Sequence, residues 1–275
     1  MKKGYSFIAK ALCLALLFSP LRGRAEEGMR QTTHATLFGL GRVNHLDTYL
    51  SPLEYKGPQA TFLHRTDRLL RRNPNILYQT WTQGEFSYAH NPAGNVHDIG
   101  GALHYDMGWG RIWKNLLLPN LDVSVSGLAG GTFGFLYNER NGNNPAQARA
   151  QLRLSAALGG DYRFRIRRQR LPLRYHLHLP LLGMAFLPRY GQSYYHLFVQ
   201  GQRDHNLVCT HVVDAFSPRQ LLTLDIPVRR SVLTVGYLSD IRQLQANGLK
   251  QHQYVRSFVV GYTRSLSIVR RKNEK

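Results

Sequence analysis

The chain has 275 residues and a formal net charge of +20, from 36 Lys and Arg against 16 Asp and Glu. Its 43% hydrophobic and 11% aromatic content excludes a disordered, solvated tail. Two Cys exclude a disulfide-built scaffold. Beyond the N-terminus, no run of about 18 apolar residues marks a membrane helix.

Lys2 and Lys3 precede an apolar stretch, Ala11 to Phe18, with the length of a signal-peptide core. Gly23-Arg24-Ala25 places small residues three and one positions before a cut at Glu26. Leu12 is too large for the lipoprotein box that Cys13 would otherwise suggest. Residues 1–25 are therefore expected to be an export signal, and 26–275 a single barrel domain. The signal carries five basic residues and no acid, so the mature net charge is +15. Only Cys209 then remains, which leaves an exported chain without an intramolecular disulfide.

Period-two alternation governs the rest. Ile99, Leu103, Tyr105, Met107 and Trp109 share one face, with His104 and Asp106 on the other. From Leu121 to Tyr137 the odd positions are apolar or Gly, and Asp122, Ser124, Ser126 and Thr132 are even. Between Arg149 and Arg167 the pattern runs nearly without a slip. Leu152, Leu154, Leu158 and Phe164 oppose Arg149, Arg153, Asp161 and Arg163. From Leu173 to Leu187 the expected apolar face is Leu173, Tyr175, Leu177, Leu179, Leu181, Gly183, Ala185 and Leu187. Pro180 cannot donate to a ladder, so a bulge is expected there.

Expected strands are 33–45, 59–70, 76–89, 97–110, 120–137, 148–166, 172–187, 193–201, 206–214, 219–228, 231–243 and 251–268. That makes about twelve; reading 188–217 as one long loop leaves ten. Strands of a soluble sandwich usually run about 5–6 residues. Transmembrane barrels use tilted strands of about 9–11 or more, apolar outward and polar inward. The pattern favours an all-β, antiparallel, up-and-down transmembrane β-barrel over a secreted sandwich. Long connections at 46–58, 90–96 and 138–147 alternate with turns at 71–75, 111–119 and 167–171. With a periplasmic N-terminus, every long loop falls outside.

The short-turn end is strongly basic. Arg71, Arg72, Arg167, Arg168, Arg170, Arg229 and Arg230 converge there as a ring. An exported barrel does not meet the chromosome, so nucleic acid is not the expected partner. Membrane lipid is, through inner-leaflet phosphates. A less favoured reading is an acidic periplasmic or barrel-assembly partner.

The loops carry recognisable segments. These are Leu46-Asp47-Thr48-Tyr49-Leu50-Ser51-Pro52-Leu53-Glu54-Tyr55-Lys56-Gly57, Asn91-Pro92-Ala93-Gly94-Asn95, Asn143-Asn144-Pro145-Ala146-Gln147-Ala148 and Tyr190-Gly191-Gln192-Ser193-Tyr194-Tyr195. Together they resemble an uncharacterised family of exported Gram-negative proteins, defined only as a domain of unknown function. The similarity runs from about Thr36 to Val269. It implies an envelope β-barrel and supplies no substrate or catalytic residue. Unlike well-studied barrels that end on an aromatic residue, this chain continues past Tyr262 to Arg270-Arg271-Lys272-Asn273-Glu274-Lys275.

Asp47, Tyr49, Ser51, Glu54, Tyr55, Asn91, Asn95, Asn143, Asn144, Tyr190, Gln192 and Tyr194 form the expected outer-loop surface. Such residues also make tight turns. By parity, the lumen should receive Glu85, His104, Asp106, Arg153, Asp161, Arg163, Arg174, His176 and His178. Opposite charges in so narrow a barrel are expected to pair and fill it, since open pores use about 16–18 strands. Ser51, Glu54, His90, His97 and Ser193 could serve an outer-rim enzyme, yet no G-x-S-x-G elbow exists. His176-x-His178 lacks further ligands at metal spacing, and no cofactor is implied. The leading expectation is an outer-membrane barrel with a structural or binding role, its loops the working surface. A narrow solute channel comes second and a lipid-modifying enzyme third. Leu154→Arg is expected to impair assembly far more than Arg153→Leu.

Overall fold

A computed structural model describes residues 29–267, except 71, 143, 167–168, 202–203 and 229–230. The expected export signal and the basic C-terminal tail lie outside the described residues. Eleven strands follow in order. They are β1 (Met29–Asp47), β2 (Ser51–Leu70), β3 (Ile76–His90), β4 (His97–Trp113), β5 (Leu121–Asn138), β6 (Ala146–Ile166), β7 (Gln169–Phe186), β8 (Leu207–His211), β9 (Arg219–Val228), β10 (Ser231–Ala246) and β11 (Leu249–Ser267). One short helix, α1 (Tyr194–Phe198), lies between β7 and β8.

Ten of these strands close an antiparallel ring. Neighbours pair in chain order from β1 to β7, then β7 with β9, β9 with β10, β10 with β11, and β11 with β1. The ring has the alternative count of ten. The difference from twelve lies wholly in 188–218. There the expected strand at 193–201 is α1, and β8 pairs only with the outer part of β7, at Leu182 to Phe186. The expected loop at 46–58 is instead a three-residue turn, because β1 and β2 run on past the barrel wall and pair up to Asp47 and Ser51. The β10–β11 hairpin turns on Asn247-Gly248, both at positive φ, the backbone that a two-residue hairpin needs.

Parity decides the faces. Phe38, Leu40, Phe133, Leu154 and Phe258 are exposed on the outside. Between them and the strand ends lie exposed Trp109, Tyr162 and Tyr262, with half-buried Tyr78 against Trp109, towards one edge, and exposed Tyr88 and Tyr137 towards the other. An apolar belt between aromatic girdles is the surface that a bilayer covers. The bulge falls at Leu181, where Leu154 pairs with Leu182 but Ser155 with Pro180. It reverses parity, so Gly183 and Ala185 turn inward instead of continuing the outer face; Ala185 is buried.

The interior is also not uniformly polar. Leu37, Leu63, Trp81, Leu128, Ala157, Leu221, Leu238 and Val259 form one apolar cluster within the ring. In a ten-stranded barrel the inward side chains meet across the axis, so they must pack rather than line a channel.

The seam between β7 and β10 is completed unusually. β9 stops pairing at Arg219, opposite His178 and Asp240. Beyond it, the Ser217 hydroxyl accepts from the Gln243 amide at 3.1 Å and donates to the Gln243 carbonyl at 3.4 Å. One side chain thus replaces a missing strand residue.

Candidate functional site

The outer end of the lumen is closed by its own loops. Tyr49, Leu50, Leu136, Leu187 and Leu249 form an apolar lid, against which Tyr194, Val208, Leu244 and Ala246 pack. The Tyr49 hydroxyl donates to the Gln192 carbonyl at 2.8 Å, and its ring meets Tyr194 edge-on at 6.1 Å. Burial pushes the Tyr49 and Tyr194 hydroxyls above their ordinary pKa. Tyr194 holds the β6 end, accepting from the Ala148 amide at 2.6 Å and donating to Gln147 at 3.2 Å.

Of the expected outer-surface residues, Tyr49, Gln192, Tyr194 and, through the Tyr49 amide, Asp47 serve this closure, and several others hold their own turns. Asp47 accepts from the Tyr49 amide and from Gln251, with Arg149 at 3.7 Å. Asn91 caps its own turn by accepting from the Asn95 and Val96 amides. The Asn144 amide donates to Asn141, and Gln192 accepts from the Arg189 amide and Asn206. Ser51 accepts from the Leu53 amide. Tyr55 faces inward and is buried. Tyr190 is open, at 75% exposure, and Glu54 is exposed too. Asn143 lies outside the described residues.

Beneath the lid, His45 and Asp98 pair at 3.0 Å. Asp98 also accepts from Asn138, which donates to the Tyr55 hydroxyl at 2.9 Å, and Tyr55 stacks on His45. This resembles a catalytic dyad in composition. At 1% and 2% exposure, however, both side chains are enclosed, and each is held by the hydrogen bonds of this cluster.

Two clamps cross the middle of the barrel. Asp106 accepts from Arg153 and Arg219, each at 2.8 Å. Glu85 accepts from both terminal nitrogens of Arg242 at 2.6 Å, and Arg242 also reaches Asp240 at 2.6 Å. His104 bonds the Thr132 hydroxyl at 2.7 Å and lies 3.6 Å from Glu85. Next in the stack is Trp81, 1% exposed, with Arg65 and Arg219 over its ring at 5.5 and 5.4 Å. His176 and His178 meet the same ring edge-on. They are neighbours of Trp81, Arg65 and Arg219, and no group of three or more candidate metal ligands occurs among the described residues.

The opposite, short-turn end holds a vestibule of about 340 Å³. Arg163 pairs with Asp122 at 2.7 Å, and Arg65 with Asp67 at 2.8 Å. Arg174 lies 3.5 Å from Asp161 and also pairs with Asp225. The cavity is therefore polar with its charges largely matched.

Of the basic ring, Arg72 is exposed. Arg71, Arg167, Arg168, Arg229 and Arg230 lie outside the described residues, and the Arg170 side chain is not among the described ones. Other arginines do mark this edge: Arg111 stacks on Trp113 at 5.6 Å and Arg264 on Tyr262 at 5.2 Å.

At the outer rim, Ser193 and His196 lie 3.1 Å apart. They form a capping box for α1, with Ser193 accepting from the His196 amide. This gives their proximity a structural cause. His97 pairs with Glu139 at 3.1 Å on the surface, away from Ser193 in sequence and strand. Sequence reasoning missed Arg65, Trp81, Arg219, Asp240 and Arg242. Each sits on the inward parity of its strand, so extending the parity argument to β2, β9 and β10 would find all but Trp81, an aromatic on a polar face.

A closed antiparallel barrel, apolar outside and filled with paired charges inside, is the outer-membrane β-barrel fold. Similar solved structures include the outer-membrane protease OmpT from Escherichia coli, at 9% identity and a TM-score of 0.48, covering 90% of this chain and 99% of that one. The translocator domain of the autotransporter NalP from Neisseria meningitidis is similar at 12% identity and a TM-score of 0.38, covering 94% and 95%. The β-domain of the Bordetella autotransporter BrkA gives 12% and 0.40, covering 86% and 100%. No curated protein matches the sequence. The family model described as "Protein of unknown function (DUF3316)" matches residues 10–273. The chain belongs to that family.

Proposed function

We propose that this protein is a non-conducting barrel of the outer membrane, delivered by its export signal, which works by binding at its outer surface. The filled lumen carries this reading: lid, two charge clamps and the Trp81 layer succeed one another along the axis. A narrow channel needs a continuous wet path, and these layers are what argues against one. The exposed apolar side chains of the outer excursion support a contact role there. Tyr195, Phe198 and Val199 are 60–67% exposed on and after α1, and such patches mark contact sites. The basic periplasmic edge, including Arg72, Arg111 and Arg264, meets inner-leaflet phosphates and fixes the depth of insertion.

Planar-bilayer recording tests the central point. The purified protein should show no conductance steps; reproducible single-channel steps would replace this reading with the channel. Location is tested separately. Tyr190→Cys in a Cys209→Ser background should react with a membrane-impermeant maleimide on intact cells. Protection until lysis would place the loop elsewhere.

A further inference from the structure

The outward face of β11, β1, β2 and β3 carries a shallow apolar groove, with two arginines in the next outward cross-strand row. In the β1–β11 register, Arg42 lies directly opposite Arg256. Both side chains are exposed. Like charges directly opposite each other destabilise a strand pair. Among the described residues, neither guanidinium forms an ion pair. The nearby carboxylate, Glu54, is occupied by Asn44 at 3.1 Å, Lys56 at 3.5 Å and His252 at 3.7 Å. The arrangement therefore costs the fold something and is not neutralised within it.

Directly below, the cross-strand rows become apolar. Phe258, Leu40, Ala60 and Phe86 succeed one another across four strands. The next row is Val260, Phe38, Phe62 and Gly84. Ala60 and Gly84 keep the floor low; a Cβ at Gly84 would meet nothing nearer than Phe62 at 4.0 Å. Phenylalanines rise around it, leaving a shallow, open, apolar groove. From Phe38 to Arg42 the strand advances about 13 Å. The two arginines sit at the end of the belt nearest the β1–β2 turn, which is the outer end.

We propose that Arg42 and Arg256 together grip the phosphate of a phosphorylated, acylated lipid of the outer leaflet, with an acyl chain lying in the groove below. The occupant follows from complementarity. Paired guanidinium forks match a phosphate bidentately, and an open apolar trough directly beneath matches a chain tethered to it. A free anion would leave the trough unexplained, and a neutral lipid would leave the arginines unpaired. The proposal rests on the outer-membrane reading above, because only there does this end of the belt meet an outer leaflet of phosphorylated lipid.

The test is lipid retention by the detergent-purified full chain, read by native mass spectrometry. The probes are a monophosphorylated, multiply acylated glycolipid and its phosphatase-treated form. Wild type should retain the phosphorylated form and lose about 30-fold on dephosphorylation, the expectation for two cations near one phosphate. Arg42→Gln/Arg256→Gln should show a similar loss. Ala60→Trp should weaken retention while leaving the arginines in place, and a change of the exposed Arg140 between β5 and β6, Arg140→Gln, should not. Inorganic phosphate in millimolar excess should not compete. Equal retention of the two lipid forms by wild type overturns the proposal even if the double variant fails to assemble. Full competition by inorganic phosphate overturns it in favour of a simple anion site. The maleimide experiment on intact cells distinguishes a failed location from a failed site, since lipid retention in detergent does not depend on where the barrel resides.

Discussion

Asp106 on β4 and Arg219 on β9 meet at 2.8 Å across the barrel, 113 residues apart in sequence. Arg153 reaches the same carboxylate from β6, so one acid holds two bases from two other strands. Removing one member of a buried pair strands its partner's charge, at about 3–5 kcal/mol. Asp106→Ala strands two guanidiniums, whereas Arg219→Met leaves Asp106 bound to Arg153. Asp106→Ala should therefore lower the denaturant midpoint of the folded band on unboiled gels more than Arg219→Met. Asp106→Leu/Arg219→Met should cost less than the sum of its single changes.

The same clamp changes what Leu154 and Arg153 are expected to do. Leu154 is 51% exposed on the belt, and Arg in that position near the bilayer midplane costs about 2–4 kcal/mol. Arg153→Leu is not the mild change that parity implies, because it removes a base from Asp106. Both variants should be impaired, in different ways. Leu154→Arg should reduce insertion into vesicles. Arg153→Leu should insert but unfold at lower denaturant, with Arg219 still holding Asp106. Normal stability of inserted Arg153→Leu would contradict the clamp.

The Tyr49 hydroxyl is pushed up by burial under the lid. Its folded value lies above its unfolded one, so the stabilisation is complete below the unfolded pKa of about 10. It is lost as pH rises beyond that, because the unfolded state releases its proton first. The lid should open to protease between 188 and 206 above about pH 10, before the barrel unfolds. Tyr49→Phe should shift that alkaline onset. An unchanged onset would show that Tyr49 does not hold the lid.

Ser217 offers a sharp local test. With Ser217→Ala, the Gln243 amide and carbonyl both lose their partner at the β7–β10 seam. The expected cost is about 1–2 kcal/mol. Hydrogen exchange at Gln243 should accelerate, with little change on β1 to β5. Uniform acceleration around the ring would mean that the seam is not the weak point.

Period two alone determined much of this protein. From Leu121 to Tyr137 and from Arg149 to Ile166, residue type alternates as the wall does, because each strand has one side in an apolar medium and the other in a crowded polar one. Asp106, Arg153 and His178 could be placed inside without knowing what they touch. The ten-strand count was half legible. Gly191 and Pro188 punctuate the excursion, but only tertiary structure decides that α1 forms there and that β8 stays outside the ring. Leu181 shows the limit most plainly. A single extra residue beside Pro180 inverts every later side chain of β7, and alternation read through it is wrong from Leu182 onward. Which charges pair was likewise beyond the sequence. Arg219 with Asp106, Arg242 with Glu85 and Arg42 beside Arg256 depend on how strands stagger when the sheet closes. Closure is a property of the whole ring, and no local window of residues contains it.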